Sequence, residues 1–239
     1  MDTVKFENKG EIKMIAHRGL SGLERENTCA SFVVAGTRSY YGIETDVHVT
    51  KDGKFIVIHD DDLKRVAEID KNVEESTFEE LREICLTDID GTPRADLRLP
   101  SLEEYLHICK KYDKQAVLEL KNPMPENKVW EIAETAEKAG WLHRVTFISF
   151  AGENLVALRK KYPQADAQYL TETCTEEEMQ FMLRHRFDAD LCGYCITQEI
   201  VERLHADGLK VNCWTLDKIE HARMAKALNV DFITTNILE

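Results

Sequence analysis

Short apolar runs recur along the chain, separated by longer amphipathic stretches. The runs are KMIAH (13–17), GIETDVHV (42–49), QAVLELK (115–121), VTFISF (145–150), DAQYL (166–170), ADLCGY (189–194), KVNCWT (210–215) and DFITT (231–235). They read as eight candidate strands. The segments between them carry helix signals. Glu26-Asn27-Thr28 leads into CASFVVAGTRSYY. Ser101, with Glu104 three positions later, forms a capping box before LEEYLHICKKY. Pro125-Glu126 precedes NKVWEIAETAEKAG, whose Gly140 stands where a helix ends in the left-handed region. Thr175 to Arg186 and Gln198 to Gly208 read as two further helices. Strands alternating with helices predict a parallel sheet. Eight such units in 239 residues predict an α/β fold, a (β/α)8 TIM barrel, as one domain over 1–239.

One run does not fit. KFIVIHD (54–60) follows GIETDVHV after only Thr50-Lys51-Asp52-Gly53, too short for a parallel crossover. Asp-Gly between alternating runs predicts an added antiparallel hairpin strand. Its register decides which side chains meet. A two-residue Asp52-Gly53 turn sets Asp46 opposite His59, and a four-residue loop sets Glu44 there. Either places Glu44, Asp46 and His59 on one face, with Ile43, Thr45, Val47 and Val49 on the other. A three-residue loop sets Thr45 opposite His59 and breaks the arrangement. Residues 61–99 then form an insertion rich in charge, with a helix expected over Ser76–Cys85. Such an excursion is either a lid over a barrel mouth or a solvated loop.

Composition narrows the function. With 44 acidic against 31 basic residues the net charge is −13, which argues against nucleic acid and against anionic membrane surfaces. It does not exclude a phosphate ligand, because a metal reverses the local sign. The N-terminal MDTVKFENKG has no apolar signal region, and no run is long enough to span a membrane, so a cytoplasmic protein without stable membrane association is expected. The seven cysteines are scattered. The single Cys192-Gly-Tyr-Cys195 is weak as a metal or redox signal, and reduced core thiols are expected.

Three strands end in polar groups that a core does not need: His17-Arg18, Glu44 with Asp46, and Glu119 with Lys121. Barrel chemistry sits at these C-terminal strand ends. Glu44, Asp46 and Glu119 suit one hard divalent cation, Mg²⁺ or Ca²⁺. Without it, they repel and one takes up a proton. A phosphodiester brings the negative count to four; a divalent ion, Arg18 and Lys121 balance it. Arg18 and Lys121 are therefore expected to grip phosphate, and His17 and His59 to act as paired acid and base. His48 shares the acidic face but lies nearer the hairpin tip. Trp214 and Phe150 read either as core or as an apolar wall of the pocket.

His17-Arg18-Gly19, Glu26-Asn27-Thr28, Glu44-x-Asp46, His59-Asp60 and Glu119-Leu120-Lys121, in this order and spacing, resemble the glycerophosphodiester phosphodiesterase family. The second half matches more loosely, through Ser149-Phe150, Trp214-Thr215 and DFITT. The resemblance implies a TIM barrel that hydrolyses glycerophosphodiesters to an alcohol and glycerol 3-phosphate. It implies metal ligation at Glu44, Asp46 and Glu119, acid–base work at His17 and His59, and phosphate contact at Arg18 and Lys121. It tips Trp214, and less strongly Phe150, towards the pocket, and makes 61–99 the family's insertion. The chain departs from the pattern at Arg25, at Ser39-Tyr40-Tyr41-Gly42, at Val66-Ala67, and at Asn236-Ile237-Leu238, where the family closes with Asp-x-Pro. These positions bear on loop shape and on the choice of alcohol. Two other readings stand beside this one: lipid-diester hydrolysis of the lysophospholipase D type at the same site, and a non-catalytic barrel that binds phosphorylated ligands. The expected partner is a small-molecule phosphodiester, and a homodimer is left open.

Overall fold

The computed structural model describes residues 2–239. Among the described residues, nine strands form one sheet: β1 (Lys13–Ala16), β2 (Gly42–Val49), β3 (Phe55–Val57), β4 (Gln115–Leu120), β5 (Val145–Ser149), β6 (Asp166–Thr171), β7 (Asp188–Cys192), β8 (Val211–Trp214) and β9 (Phe232–Thr235). All but β3 are parallel. β1 pairs with both β9 and β2, which closes the expected TIM barrel, and β3 hangs outside it as an antiparallel partner of β2. Ile43, Val47, Ala116, Leu118 and Leu120 face outward into the core beneath the helices. Ile15, Val117, Ile148, Leu170 and Phe232 plug the barrel from inside. The polar strand ends sit above that plug.

Helices α1 (Cys29–Gly36), α4 (Leu102–Lys111), α5 (Glu126–Lys138), α6 (Gly152–Lys161), α7 (Glu176–His185), α8 (Gln198–Ala206) and α9 (Ile219–Ala227) surround the barrel, with α2 (Lys64–Ala67) and α3 (Phe78–Arg82) in the insertion. Ser101–Glu104 and Thr175–Glu178 form capping boxes, and Gly140 ends α5 at φ +68°. α6 and α9 carry no legible start signal, because neither Ala151 nor Lys218 caps with its side chain. α1 stops at Gly36, short of Tyr41, because Ser39–Tyr41 must turn back into β2. α3 is half the expected length.

The buried Tyr105 hydroxyl of α4 donates to the carbonyls of Ile43 (2.8 Å) and Val117 (3.2 Å), tying the helix to β2 and β4. Tyr105→Phe strands both contacts and is expected to cost about 1–2 kcal/mol in urea unfolding. An unchanged unfolding free energy would show that the bond does not stabilise the fold.

The hairpin register corrects the sequence expectation. Val49 faces Phe55, His48 faces Ile56 and Val47 faces Val57, the pairing of a three-residue loop. Gly53 takes φ +78° and donates its N–H to the Thr50 carbonyl, as a left-handed residue does when it closes such a loop. Extended, this register sets Thr45 opposite His59. His59 nevertheless reaches the acids, because the ladder ends first. The Ile58 N–H donates to the Asp46 carbonyl (3.1 Å), then the chain bends at His59-Asp60 and the alternation no longer governs it.

Residues 61–99 are not a solvated excursion. Leu63, Val66, Val73, Leu81, Leu86, Leu97 and Leu99 form a second core with Ile56 and Ile58 of the hairpin. The cysteine expectation needs a similar correction. All seven are unpaired, but only Cys109 and Cys213 are buried, and Cys85 is exposed.

Candidate active site

The HRG turn after β1 is built to hold an acid. Arg18 (φ +53°) and Gly19 (φ +76°) are both left-handed, which points their N–H groups at Glu44. Arg18 N–H donates to Glu44 Oε2 (2.7 Å) and Gly19 N–H to the Glu44 carbonyl (3.1 Å). A Cβ on Gly19 would lie 2.3 Å from Ser31 Oγ, so only glycine fits. Asn27 fixes the neighbouring acid: its Nδ2 donates to Asp46 Oδ2 (2.7 Å) while its Oδ1 accepts from Thr45 (2.7 Å).

Glu44, Asp46 and Glu119 are all buried, each with a carboxylate oxygen within 4.8 Å of the others. Lys121 Nζ is 2.8 Å from Glu119 and 3.6 Å from Asp46 Oδ1. Arg18 Nε lies 3.7 Å from Asp46 Oδ2 and has no hydrogen-bond partner of its own. Asp46 Oδ1, also buried, lacks a hydrogen-bond partner. Three hard oxygen donors around one unmatched carboxylate oxygen fit a divalent cation.

The electrostatics agree. Burial, with Asp46 beside it, pushes Glu44 well above the carboxylate range. Burial and Asp46 push Glu119 up to about 7 against the pull of Lys121. Burial also pushes on Asp46, but Lys121 and Arg18, with the hydrogen bond from Asn27, outweigh it and hold Asp46 ionised. Asp46 is the acid held as an anion, while Glu44 and Glu119 are pushed towards the protonated form.

His17 and His59 stand on the same mouth. His17 Nδ1 bonds Asn236 Oδ1 (2.8 Å), and Asn236 Nδ2 donates to Asp217 Oδ2 (2.6 Å). His59 Nδ1 bonds Asp60 Oδ1 (2.7 Å). Burial, helped by Arg18, pushes His17 down to about 4. Burial also lowers His59, with Asp46 partly offsetting it. Both imidazoles are neutral at pH 7, with Nδ1 engaged and Nε2 left over.

Arg65 of the insertion joins both halves of this arrangement. Its guanidinium grips Asp60 (2.8 and 3.1 Å) and Glu26 (2.6 and 2.8 Å), and Glu26 in turn accepts from Arg18 (2.9 Å). His48 is buried between Glu74 (3.0 Å) and the His59 carbonyl (3.4 Å), so it supports the bend and does not face the cavity.

His17, Arg18, Glu44, His59, Glu119, Phe150 and Trp214 line one cavity of about 50 Å³. Trp214 meets Phe150 edge-on at 5.8 Å, and its indole N–H donates to the Asp190 carbonyl (3.1 Å). Phe150 is 44% exposed and forms the rim. A larger groove, about 640 Å³, opens at the opposite end of the barrel and brings none of these residues together.

Seven of the nine residues singled out from sequence line the smaller cavity, and Asp46 and Lys121 adjoin it through Arg18 and Glu119. Asn27, Asp60, Arg65, Asp217 and Asn236 were not assigned roles from sequence. Asn27, Asp60 and Arg65 lie inside or beside quoted motifs, which was the available signal. Asp217 had none. Asp190 was missed too: it lines the cavity from β7, and burial, with Glu119 nearby, pushes its carboxyl well above the usual range.

The profile of the glycerophosphoryl diester phosphodiesterase family matches residues 17–239. The chain belongs to that family. It is 30% identical over 233 residues to a glycerophosphodiester phosphodiesterase of Bacillus altitudinis, covering 94% of each chain. It is 31% identical over 230 residues to another from Caldanaerobacter subterraneus subsp. tengcongensis, covering 93% of each. In fold it resembles an Oleispira antarctica phosphodiesterase solved with its product sn-glycerol-3-phosphate, at TM-score 0.85 and 22% identity, covering 94% of this chain and 92% of that one. Among the described residues, no helix is long and apolar enough to cross a membrane.

Proposed function

We propose that the chain hydrolyses glycerophosphodiesters to an alcohol and glycerol 3-phosphate, with one divalent cation, Mg²⁺ or Ca²⁺, held by Glu44, Asp46 and Glu119. The family makes it a phosphoric diester hydrolase. The observation that carries the rest is the meeting of three buried carboxylates, an unmatched Asp46 oxygen, two neutral histidines and two cations at one barrel mouth.

A cation bound there supplies Lewis acidity to a phosphoryl oxygen. The protein's own groups do the rest. The unspent Arg18 Nε–H and the Lys121 ammonium take phosphate oxygens at the mouth that both histidines line. Nε2 of one histidine accepts the proton of the attacking hydroxyl. That hydroxyl belongs either to the glycerol, giving a cyclic phosphate that water opens, or to water directly. The other histidine must first take up a proton at Nε2; as the imidazolium it gives that proton to the leaving alkoxide and returns to the neutral form. Asn236 and Asp60 hold the two rings in the required tautomer. The enclosed volume is too small for a whole diester, so the leaving alcohol lies over the Phe150–Trp214 rim.

Residues 61–99 serve as a fixed wall on the single barrel domain, held by Arg65 and by Arg25, whose guanidinium donates to Thr87. A cytoplasmic setting suits seven unpaired cysteines.

The test is glycerol 3-phosphate release from a panel of glycerophosphodiesters and lysophosphatidylcholine, in EDTA, Mg²⁺ or Ca²⁺. Release abolished by EDTA and restored by metal is expected. No release with any metal overturns the reading, and release from the lipid alone moves it to a lysophospholipase D.

A further inference from the structure

Asp190 stands opposite the acidic triad. Ala189 and Leu191, its neighbours on β7, pack outward into the main core, so alternation sends Asp190 into the barrel. In register it aligns with Leu170 on β6 and Asn212 on β8, level with the apolar plug. It is 2% exposed and lines the same cavity as His17, Glu44 and Glu119. Among the described residues its Oδ1 has no hydrogen-bond partner. The local donors leave this oxygen unmatched: the side-chain amide of Asn212, beside Asp190, lowers its pKa in part but donates to Thr234 (3.0 Å), and the Trp214 indole N–H goes to the backbone carbonyl of Asp190.

Burying a carboxyl with an unmatched oxygen costs stability. Ile148 and Leu170 fill the apolar plug at this level with hydrocarbon, and Asn212 on the other side does not match the free oxygen. Asp190 makes no ion pair among the described residues and lies outside the carboxylate group that could share a cation. A phosphate is served by Arg18 and Lys121 on the other wall. The partner that suits this oxygen is an alcohol. A hydroxyl donates to a carboxylate, and it both donates to and accepts from a carboxylic acid, so the match holds in either protonation state.

We propose that Asp190 is a specificity-determining substrate contact, its free carboxyl oxygen hydrogen-bonding the terminal hydroxyl of the glycerol half of the diester. This rests on the phosphodiesterase reading above. It assigns the floor of the cavity to glycerol and the Phe150 rim to the departing alcohol.

The experiment compares a glycerophosphodiester with its analogue in which the terminal hydroxyl is replaced by hydrogen, the leaving alcohol being the same. Wild-type enzyme is expected to favour the intact substrate by about 10- to 100-fold in kcat/KM. Asp190→Leu should bring the two within about threefold of each other, whereas Asp190→Asn, which still offers polar atoms, should keep most of the preference. The thermal midpoint of Asp190→Leu should rise, because an unmatched buried polar atom has gone. Asp190→Ala provides the same substrate comparison should the leucine variant not fold. Equal losses on both substrates, or an unchanged preference, would overturn the proposal alone. No turnover of either diester by the wild type would overturn the phosphodiesterase reading, and this one with it.

Discussion

Asp46→Asn loses about three orders of magnitude in kcat/KM at saturating Mg²⁺ or Ca²⁺, and its thermal midpoint no longer responds to either ion. Asp46 is the one carboxylate of the triad held ionised, and it carries the unmatched oxygen. The change to Asn keeps its shape and the bond from Asn27 but removes the charge around which the site is balanced. Circular dichroism should show an unchanged fold. The ion response is the sharper readout, because a cation that binds only the native state raises the midpoint with concentration. A variant whose midpoint climbs with Mg²⁺ or Ca²⁺ as the wild type does would remove Asp46 from the ligand set.

The ion response should also depend on pH. A carboxylate whose folded pKa lies above its unfolded value favours the fold below the unfolded value and loses that contribution as pH rises through the folded one. Glu119, raised to about 7, therefore weakens the metal-free protein as pH rises through neutrality, with Glu44 acting in the same direction. A cation competes with those protons. The gap in thermal midpoint between EDTA and saturating metal should widen from about pH 5 to about pH 8. A constant or narrowing gap would show that the triad is not where the metal binds.

The second large effect is on the histidines. His17→Ala and His59→Ala should each lower kcat by about 10²- to 10⁴-fold while leaving the metal-induced shift in thermal midpoint intact. That combination separates proton transfer from ligation. The double variant should fall little below the worse single one, because a reaction lacking either transfer already proceeds by the residual route. Wild-type turnover in either single variant would remove that histidine from the acid–base pair. An imidazole held through Asn236 differs from one held through Asp60, since an amide does not share charge with its partner as a carboxylate does. His17→Ala is thus the cleaner test of a group that works neutral.

The barrel, and most of its mouth, were legible from residue order. Period-two alternation assigns Glu44 and Asp46 to one face and Ile43 and Val47 to the other whatever lies around them, because the pleat is a property of the strand itself. The same local rule places Glu119 with Lys121. Capping boxes at Ser101 and Thr175 mark their helices for an equally local reason, the bond from side chain to backbone three residues on. Where that bond is absent, at Ala151 and Lys218, no local signal marks the helix start.

Tertiary structure decided what lay beyond local rules. Loop length set the hairpin register against expectation, and His59 reached the acids only because the ladder ends at Ile58 and the chain bends. Arg65 could not be placed beside Glu26 and Asp60 from spacing, since two separate segments must fold against the insertion core to bring them together. Asp190 looks from sequence like one more polar residue at a strand end, and only barrel closure puts its carboxyl across the cavity from Glu119. Local geometry determines which face a side chain takes. Only the closed barrel determines what that face meets, because those contacts join residues far apart in the chain.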